Sequence, residues 1–301
     1  MKCFYRLSLL LISFLIISCS DSLKEKGSAE YIASVKKWHN TRLENLKKEN
    51  GWLNLIGLYW LKEGENKFGS DKSNDFIFPE NSEKFMGSFF LKDSVIILTV
   101  NQGVNIKAKN SVVEKMEMQY DLQGNPTILE YKSLRWFIIK RGEKYGVRLR
   151  DLNAELVKSF SGIETFPINE DWKIEAQFEK YNPPKEIQIP NILGTIEKEL
   201  SPGAIIFTKD SKEFKLGVTD AGDSYFVIFA DLTNGVDTYG AGRFLSVEKP
   251  DSSGKIYIDF NKAYNPPCAF TKYATCPLPP KQNHLKLEVT AGEKNFEGGA
   301  H

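Results

Sequence analysis

The chain has 301 residues, of which 41% are hydrophobic and 26% are charged, and this length is enough for one large domain or two smaller ones. Lys and Arg number 40 against 39 Asp and Glu, which leaves a formal net charge of +1. This balance excludes a protein that binds nucleic acid through a strongly basic surface.

Residues 1–18 form the strongest pattern in the sequence. Lys2 and Arg6 are followed by an apolar stretch, Leu7 to Ile17, that is interrupted only by serines. The stretch is shorter than the roughly 20 apolar residues that a membrane-spanning helix needs. Residues 1–18 are therefore predicted to be a secretory signal peptide.

The signal ends in Ile16-Ile17-Ser18-Cys19, which is typical of the site where bacterial lipoproteins are cleaved and acylated. Cleavage before Cys19 would leave a thiol for a diacylglycerol and an amine for a further acyl chain such as palmitate, and two or more chains anchor a protein stably. We therefore expect a lipoprotein of the bacterial cell envelope, on its periplasmic or cell-surface face, with the membrane as its partner. An uncleaved anchor or a free cysteine is the alternative.

A tether and a helix are predicted next along the chain. Residues 19–27 are polar and end in glycine, which is typical of a flexible tether. From Ser28 to Asn50, apolar residues recur every three to five positions, and this spacing predicts an amphipathic helix that Gly51 ends. His39 lies at the edge of the apolar stripe, where a structural role is expected rather than catalysis.

The rest of the chain has the pattern of a β protein. After Gly51, short apolar runs are separated by Gly, Asn, Asp and Pro at intervals of roughly eight to twelve residues. The predicted fold class is mainly β, with an antiparallel β-sandwich in residues 51–165 and a second β domain in residues 166–301 that includes a strand over Leu285 to Thr290. The two halves could also share one extended core.

Three segments carry a recognisable family pattern. They are GWLNLIGLYWL from Gly51 to Leu61, TYGAGRFL from Thr238 to Leu245, and DFNKAYNPPCAFTKYATCPLPP from Asp259 to Pro280. Together they resemble the bacterial and archaeal family called domain of unknown function 1684, over nearly all of the mature chain. The resemblance implies a shared fold and a shared site, but it implies no named activity.

A weaker resemblance lies in Leu61 to Phe78, which is similar to the opening hairpin of forkhead-associated domains, β-sandwiches that bind phosphothreonine. That family needs an arginine directly after its glycine to pair with phosphate, whereas here Ser70 follows Gly69. The resemblance therefore implies a possible architecture and not the phosphopeptide activity.

The residues best able to bind a ligand are concentrated between Asp231 and Glu293, in a stretch rich in Gly and Pro. About twenty residues from Asn261 to Pro280 have no strand pattern, and long loops of this kind are commonly functional. The ligand-binding candidates are Asp231, Thr238, Tyr239, Arg243, Asp259, Asn261, Tyr264, Asn265 and Asn283.

Asp259, Arg243 and Asn261 are also the catalytic candidates. Arg243 could bind a carboxylate or phosphate, or form an ion pair with Asp231 or Asp259. Asp259 and Asn261 could orient a water or bind a cation, although satisfying the amides of a turn is the more common role for this spacing. The tyrosines could line a cleft for carbohydrate or aromatic groups, or belong to the core.

Cys268 and Cys276 form an even pair once Cys19 is acylated. A disulfide is therefore possible in an oxidising compartment, provided that the Cα atoms come within about 7 Å of each other. Free structural thiols, a nucleophilic thiol with His284 and thiolate metal ligands are the alternatives. Because the chain has only three histidines and no closely spaced cysteine pair, we expect no metal and no other cofactor.

Three functions are compatible with these patterns. The first is a lipid-anchored protein that binds a small polar or anionic ligand through its C-terminal domain. The second is an envelope hydrolase in which Asp259 moves a proton while Arg243 and Asn261 stabilise negative charge. The third is a structural envelope protein.

Overall fold

The computed structural model describes residues 24–251 and 254–299, so the predicted signal peptide and Cys19 lie outside the described residues. The described part contains the helices α1 (Ala29–Lys47) and α2 (Glu155–Ser159). Its strands are β1 (Leu55–Trp60), β2 (Gly64–Gly69), β3 (Phe76–Ile77), β4 (Gly87–Lys92), β5 (Val95–Val100), β6 (Lys107–Ala108), β7 (Ser111–Val112), β8 (Lys115–Glu117), β9 (Leu129–Tyr131), β10 (Leu134–Arg141), β11 (Lys144–Asp151), β12 (Lys173–Pro190), β13 (Ile196–Lys209), β14 (Lys212–Ala221), β15 (Ser224–Phe229), β16 (Arg243–Glu248) and β17 (Ile256–Asp259). The fold is mainly β, as predicted.

Helix α1 begins beside its predicted start and ends at Lys47, short of the predicted Asn50. The Ser28 hydroxyl accepts a hydrogen bond from the Tyr31 N–H at 3.2 Å. An N-cap of this kind stabilises a helix by about 1 kcal/mol. The buried face of the helix comprises Tyr31, Val35 and Leu46.

Residues 55–151 form two sheets that share one core. One sheet has the strand order β1-β11-β10-β9-β6-β7 and the other has the order β3-β2-β4-β5-β8. Phe68 of the second sheet contacts Trp136 of the first, with ring centroids 6.0 Å apart. This is the predicted sandwich, but β3 pairs with β2 in parallel, so the segment Leu61 to Phe78 is not a hairpin. Directly after β2, the Ser70 N–H donates to the carbonyl of Glu83 at 2.9 Å.

Residues 173–259 form the third sheet, in the order β16-β15-β14-β13-β12-β17. Strands β12 and β13 are the longest of this sheet, with 18 and 14 residues. A register shift lies between Lys180 and Lys185 of β12. The core of this part includes Phe207, Phe229 and Phe260.

The strand predicted over Leu285 to Thr290 is wrong, because the described structure has no strand there. The backbone of this segment bonds to isolated groups and not to a neighbouring strand. The Leu285 N–H donates to the Ala230 carbonyl at 2.8 Å, and the Val289 N–H donates to the Asp231 carboxylate at 3.2 Å. A side chain of a neighbouring turn therefore takes the place of a strand partner.

Candidate functional site

Asp231 and Arg243, two predicted candidates, bind each other in the interior. Arg243 Nη2 donates to Asp231 at 2.9 Å, and neither side chain is exposed to solvent. Burial lowers the pKa of Arg243, and the charge of Asp231 opposes this shift. Arg243 also donates to the carbonyls of Val289 at 3.0 Å and Ala291 at 2.5 Å. Of its two predicted acidic partners, Arg243 therefore pairs with Asp231 and not with Asp259.

Thr238 and Tyr239 belong to a turn that Asp231 organises. The Asp231 carboxylate accepts hydrogen bonds from the Thr233 N–H at 2.9 Å and from the Thr233 hydroxyl at 2.6 Å. The Thr233 hydroxyl lies 2.9 Å from the Thr238 hydroxyl, and the Asn234 amide donates to the Tyr239 carbonyl at 2.8 Å. The turn is therefore held together by its own polar groups.

Asp259 and Asn261 lie against helix α1. The Tyr31 hydroxyl donates to Asp259 Oδ1 at 2.8 Å, and the Asn261 amide donates to the Tyr31 oxygen at 2.9 Å. Asn261 also exchanges hydrogen bonds of 2.9 and 2.8 Å with the backbone of Asn169. Burial, assisted by the charge of Asp259, raises the pKa of Tyr31, so its hydroxyl remains a donor. The cluster fastens the helix to the end of β17.

His39 contacts the same cluster from α1. Its Nε2 lies 3.0 Å from the Asn261 carbonyl, which assigns the proton to Nε2 and the lone pair to Nδ1. Burial lowers the pKa of His39, so the ring is neutral near pH 7. The ring lines a cavity of about 420 Å³ between α1 and residues 163–168. The exposed pair of Lys36 and Glu25 borders this cavity.

Arg42 of α1 and Glu293 form a second ion pair in the interior. Arg42 Nε donates to Glu293 at 3.1 Å, and Nη2 donates to the Asn265 carbonyl at 2.9 Å. The other Glu293 oxygen accepts the Asn265 N–H at 2.7 Å. The guanidinium carbon also lies 4.5 Å from the centroid of the Tyr264 ring. Tyr264 and Asn265, both predicted ligand candidates, therefore hold helix α1 in place.

Asn283 joins two strands of the third sheet. Its amide donates to the carbonyls of Gly217 and Ile228 at 2.9 and 2.8 Å, and its oxygen accepts the Gly217 N–H at 2.8 Å. These bonds use most of the hydrogen-bonding capacity of the side chain. In the described structure Asn283 thus has a structural role.

Cys268 and Cys276 form a disulfide with Cα atoms 6.2 Å apart, which is one of the alternatives that the sequence left open. The sulfur atoms are therefore engaged with each other, and His284 Nε2 instead lies 3.2 Å from the Pro279 carbonyl. The Thr271 hydroxyl donates to the Leu55 carbonyl at 3.0 Å. The closed loop thus rests on β1 of the sandwich.

The catalytic candidates Arg243 and Asp259 therefore fall into separate networks, although Arg243 also donates to the Glu293 carbonyl at 3.3 Å and so connects with the network of Asn265. Arg243 and Asp259 have no hydrogen-bond partner in common within residues 24–251 and 254–299. Each network fastens one segment of the chain to another. A ligand-binding or catalytic role for these residues stays a prediction.

The outer face of β10 and β11 carries four arginines that the sequence analysis did not single out. Arg135 and Arg150 lie directly opposite each other on the two strands, and Arg148 is two positions from Arg150 on the same face. Arg141 follows on β10 and donates to Asp121 at 2.7 Å. Like charges placed directly opposite each other destabilise a strand pair, so this face needs compensating anions.

Carboxylates neutralise only part of the positive charge on this face. Arg135 donates to Glu49 at 2.8 Å. No ion pair within 4.0 Å reaches Arg148 or Arg150 from any carboxylate of the described residues, although these arginines are only 5% and 7% exposed. Burial lowers the pKa of each to about 10. The charges of Arg141 and Arg150 add to the shift of Arg148, while Asp121 opposes the shift of Arg148 and Glu49 opposes that of Arg150. Both therefore remain charged at neutral pH, and among the described residues neither has a carboxylate within ion-pair distance.

A cavity of about 590 Å³ opens beside Arg150. It is lined by Lys48, Glu49, Asn50, Pro126, Ile128, Arg135, Phe137 and Arg150. Arg150 Nη1 donates to Asn54 Oδ1 at 2.8 Å and to the Gly51 carbonyl, and its guanidinium carbon lies 5.9 Å from the Phe137 ring centroid. A fixed cation thus lies against an apolar wall.

The sequence does contain a signal for this face, in the alternation Val147-Arg148-Leu149-Arg150. Val147 and Leu149 are fully buried in the sandwich core, so the arginines must occupy the opposite face of the strand. That face is covered as well, because the Arg148 guanidinium donates to the Thr275 hydroxyl at 3.3 Å. Two consecutive buried arginines on one face of a strand indicate a charged site inside the protein.

The family model described as "Protein of unknown function (DUF1684)" matches residues 158–294. A solution NMR structure of an uncharacterised protein of Haloarcula marismortui is 32% identical in sequence, and the match covers 46% of this chain and 80% of that chain with a TM-score of 0.39. No curated protein matches the chain.

Two structures of forkhead-associated domains also match, each at 15% identity and over 31% of this chain. One is the FhaA domain in complex with the intracellular domain of Rv3910, and the other belongs to an analysis of phosphothreonine-dependent interactions; the matches cover 97% and 92% of those chains. Both TM-scores are 0.22, so these matches assign no activity.

Among the described residues, the helices are too short or too polar to cross a bilayer.

Proposed function

Because this chain belongs to the family described as "Protein of unknown function (DUF1684)" and inherits no activity from it, we propose a function from its own residues. The protein is an exported lipoprotein whose folded part binds a small organic anion in the cavity beside Arg150. The leader and Cys19 support the first half of this proposal. The ligand class is the one predicted from the sequence, but the site lies on the sandwich and not in the C-terminal domain.

The observation that carries the proposal is the buried charge of Arg150. With its pKa lowered to about 10, keeping the guanidinium charged in the fold costs on the order of 3 kcal/mol. A carboxylate bound in the cavity offsets this cost, because a guanidinium forms two parallel hydrogen bonds with a carboxylate. Nη1 is already bonded to Asn54, so the ligand bonds to the remaining donors.

The rest of the lining narrows the ligand class. Phe137, Ile128 and Pro126 offer apolar contact, which favours an anion with an apolar body. Glu49 belongs to the same lining but is already paired with Arg135 at 2.8 Å, which leaves the buried charge of Arg150 outside any ion pair of the lining. A monocarboxylate fits this combination better than a polyphosphate does.

The binding test uses the full-length protein in lipid nanodiscs and isothermal titration calorimetry. The probes are phenylacetate and its neutral counterpart, phenylacetamide. We expect phenylacetate to bind at least about tenfold more tightly than the amide, because only the carboxylate pairs with Arg150. Equal affinities, or no detectable binding of phenylacetate, would contradict the proposal.

Two variants connect the binding to the cavity. Arg150→Lys keeps a charge but loses the planar donor pair, and Ile128→Asp places a carboxylate at a rim position that is 49% exposed. Each should weaken phenylacetate binding by about tenfold. Val236→Asp, at a position 79% exposed and outside the cavity lining, is the matched control and should bind normally. Wild-type affinity in both cavity variants would show that the site is elsewhere.

The proposal that the protein is a lipoprotein is tested separately. Mass spectrometry of the protein from bacterial membranes should find residues 1–18 removed and Cys19 acylated, whereas Cys19→Ser should leave the chain unacylated. An unmodified Cys19 or a retained leader in the native protein would refute this half without affecting the cavity.

A further inference from the structure

A second and larger cavity, of about 1280 Å³, adjoins the cavity beside Arg150. Its lining comprises residues 108–109, 111–117, 119 and 125–128. Pro126 and Ile128 line both cavities, so the two spaces are neighbours at these residues. Strands β7 and β8, which border the larger cavity, are the last strands of their respective sheets. The larger cavity is therefore a groove between two sheet edges.

The edge of β8 has backbone groups that face the groove. The Val100 N–H donates to the Glu114 carbonyl and the Met118 N–H donates to the Ile96 carbonyl, both at 2.8 Å. Because bonded positions alternate in an antiparallel pair, the N–H and C=O groups of residues 115 and 117 point away from β5. In the described sheet, β8 pairs with no other strand on that side.

The next outward position along this edge is already occupied. The Thr127 N–H donates to the Gln119 carbonyl at 3.0 Å, and the Gln119 N–H donates to the Thr127 hydroxyl at 3.0 Å. Thr127 thus occupies the partner position beside Gln119. The groove extends along the same edge of β8, beside Lys115 and Glu117. An extended chain placed there would lead past Pro126 and Ile128 toward Arg150.

We propose that the two cavities together bind the C-terminal end of an extended peptide. The terminal carboxylate pairs with Arg150, the last side chain packs against Phe137 and Ile128, and the preceding residues add a strand beside β8. Strand addition and capture of a terminal carboxylate are both established modes of peptide recognition. This inference rests on the proposed anion site and specifies the class of its ligand.

The groove lining favours a peptide over an acyl chain. Lys109, Glu114, Lys115 and Glu117 place charges of both signs along it, among the apolar side chains Val112, Val113 and Met116. An acyl chain gains free energy only from apolar contact and cannot use unpaired backbone groups. An extended peptide forms hydrogen bonds with the edge of β8. Its side chains alternate in direction and can contact both the charged and the apolar side chains of the groove.

The ligand-side test compares an acetylated peptide of sequence Thr-Val-Thr-Val-Leu, with a free carboxylate, against N-acetylleucine. Calorimetry on the full-length protein in nanodiscs should give the peptide at least about tenfold higher affinity, because only the peptide reaches the edge of β8. Amidation of the C-terminus should weaken binding by at least about tenfold, as it does for phenylacetamide, because the charged pair with Arg150 is lost. N-methylation of alternate backbone amides should return the affinity to that of N-acetylleucine, since it removes the donors to the edge.

A second test removes one backbone N–H donor of β8. Glu117→Pro removes an N–H that points away from β5 and is tolerated at an edge position, and Glu117→Ala is its matched control. The proline variant should bind the peptide about tenfold more weakly than the alanine variant does, while both bind N-acetylleucine equally. A urea titration checks that both variants are folded.

The outcomes separate the two proposals. If the peptide binds no more tightly than N-acetylleucine and both depend on Arg150, the peptide inference fails and the anion site stands. If dodecanoate binds more tightly than the peptide, the groove holds an acyl chain and the peptide inference fails. If Arg150→Lys affects neither the peptide nor phenylacetate, the proposed function fails as well.

Discussion

Arg243 donates a hydrogen bond of 2.9 Å to Asp231 at a place where neither side chain is exposed to solvent. A buried ion pair of this kind is costly to break, because the remaining partner is left charged in a medium that solvates it poorly. The pair also fixes the carbonyls of Val289 and Ala291. We therefore interpret it as a structural anchor for residues 289–291.

The first prediction concerns the stability that this pair provides. Arg243→Met should lower the free energy of unfolding by roughly 3–5 kcal/mol, because Asp231 keeps its charge without a cation. Asp231→Asn keeps the acceptor for Thr233 and Val289 but loses the charge, so in the Arg243→Met background it should cost less than it does in the wild-type chain. Urea unfolding of the two single variants and the double variant measures this coupling. Unchanged stability of the single variants, or strictly additive effects, would contradict the anchor.

Local patterns in the sequence predict the helix and the sandwich, since both depend on spacing within a few residues. Ser28 and the apolar stripe define α1, and the alternation around Val147 and Leu149 defines β11. The parallel pairing of β3 with β2 is accompanied by a hydrogen bond from Ser70 to Glu83, outside the segment Leu61 to Phe78, and no local pattern predicts such a partner.

The candidate sites were harder to predict for the same reason. The sequence marks Arg243 as able to bind an anion or an acid, but its burial depends on carbonyls that lie 46 and 48 positions away. Arg148 and Arg150 look like ordinary surface positions of a strand until Thr275 and Gly51 are seen to bond to them. The two cysteines made a disulfide one of several alternatives, because the distance between their Cα atoms is set by the fold and not by their spacing in the sequence.

The second prediction concerns the docking of helix α1. Arg42→Met should destabilise the protein by roughly 3–5 kcal/mol, because Glu293 is fully buried and has no other cation in a described ion pair. Lys36→Met, on the same helix, removes an exposed pair with Glu25 and should change stability by less than about 1 kcal/mol. Urea unfolding monitored by circular dichroism compares the two. Equal effects would show that Arg42 contributes no more than a surface charge.

The third prediction concerns the bridge between Cys268 and Cys276, which closes a loop with a sequence separation of 8. Loop-closure entropy for this length predicts that reduction lowers the free energy of unfolding by roughly 2–3 kcal/mol. The Thr271 bond to Leu55 should weaken at the same time, which hydrogen exchange in β1 would detect. Replacing both cysteines by serine is the control, because reductant should then have no effect. Unchanged stability of the wild-type chain on reduction would refute the prediction.

The fourth prediction concerns the pH dependence of stability at His39. Burial lowers the pKa of His39 in the folded protein below its ordinary value of 6.5, an effect to which Arg42 and Lys262 contribute and which Asp259 opposes. As the pH falls below 6.5, the unfolded chain binds the proton first, so this residue lowers stability progressively until the folded-state pKa is reached.

His39→Gln retains an N–H donor for the Asn261 carbonyl and does not titrate. Urea unfolding between about pH 7.5 and pH 5 should therefore show a smaller loss of stability in His39→Gln than in the wild-type chain. Because buried Glu293 titrates in both proteins, only the difference between them is assigned to His39, and parallel curves would mean that the folded-state pKa is not lowered.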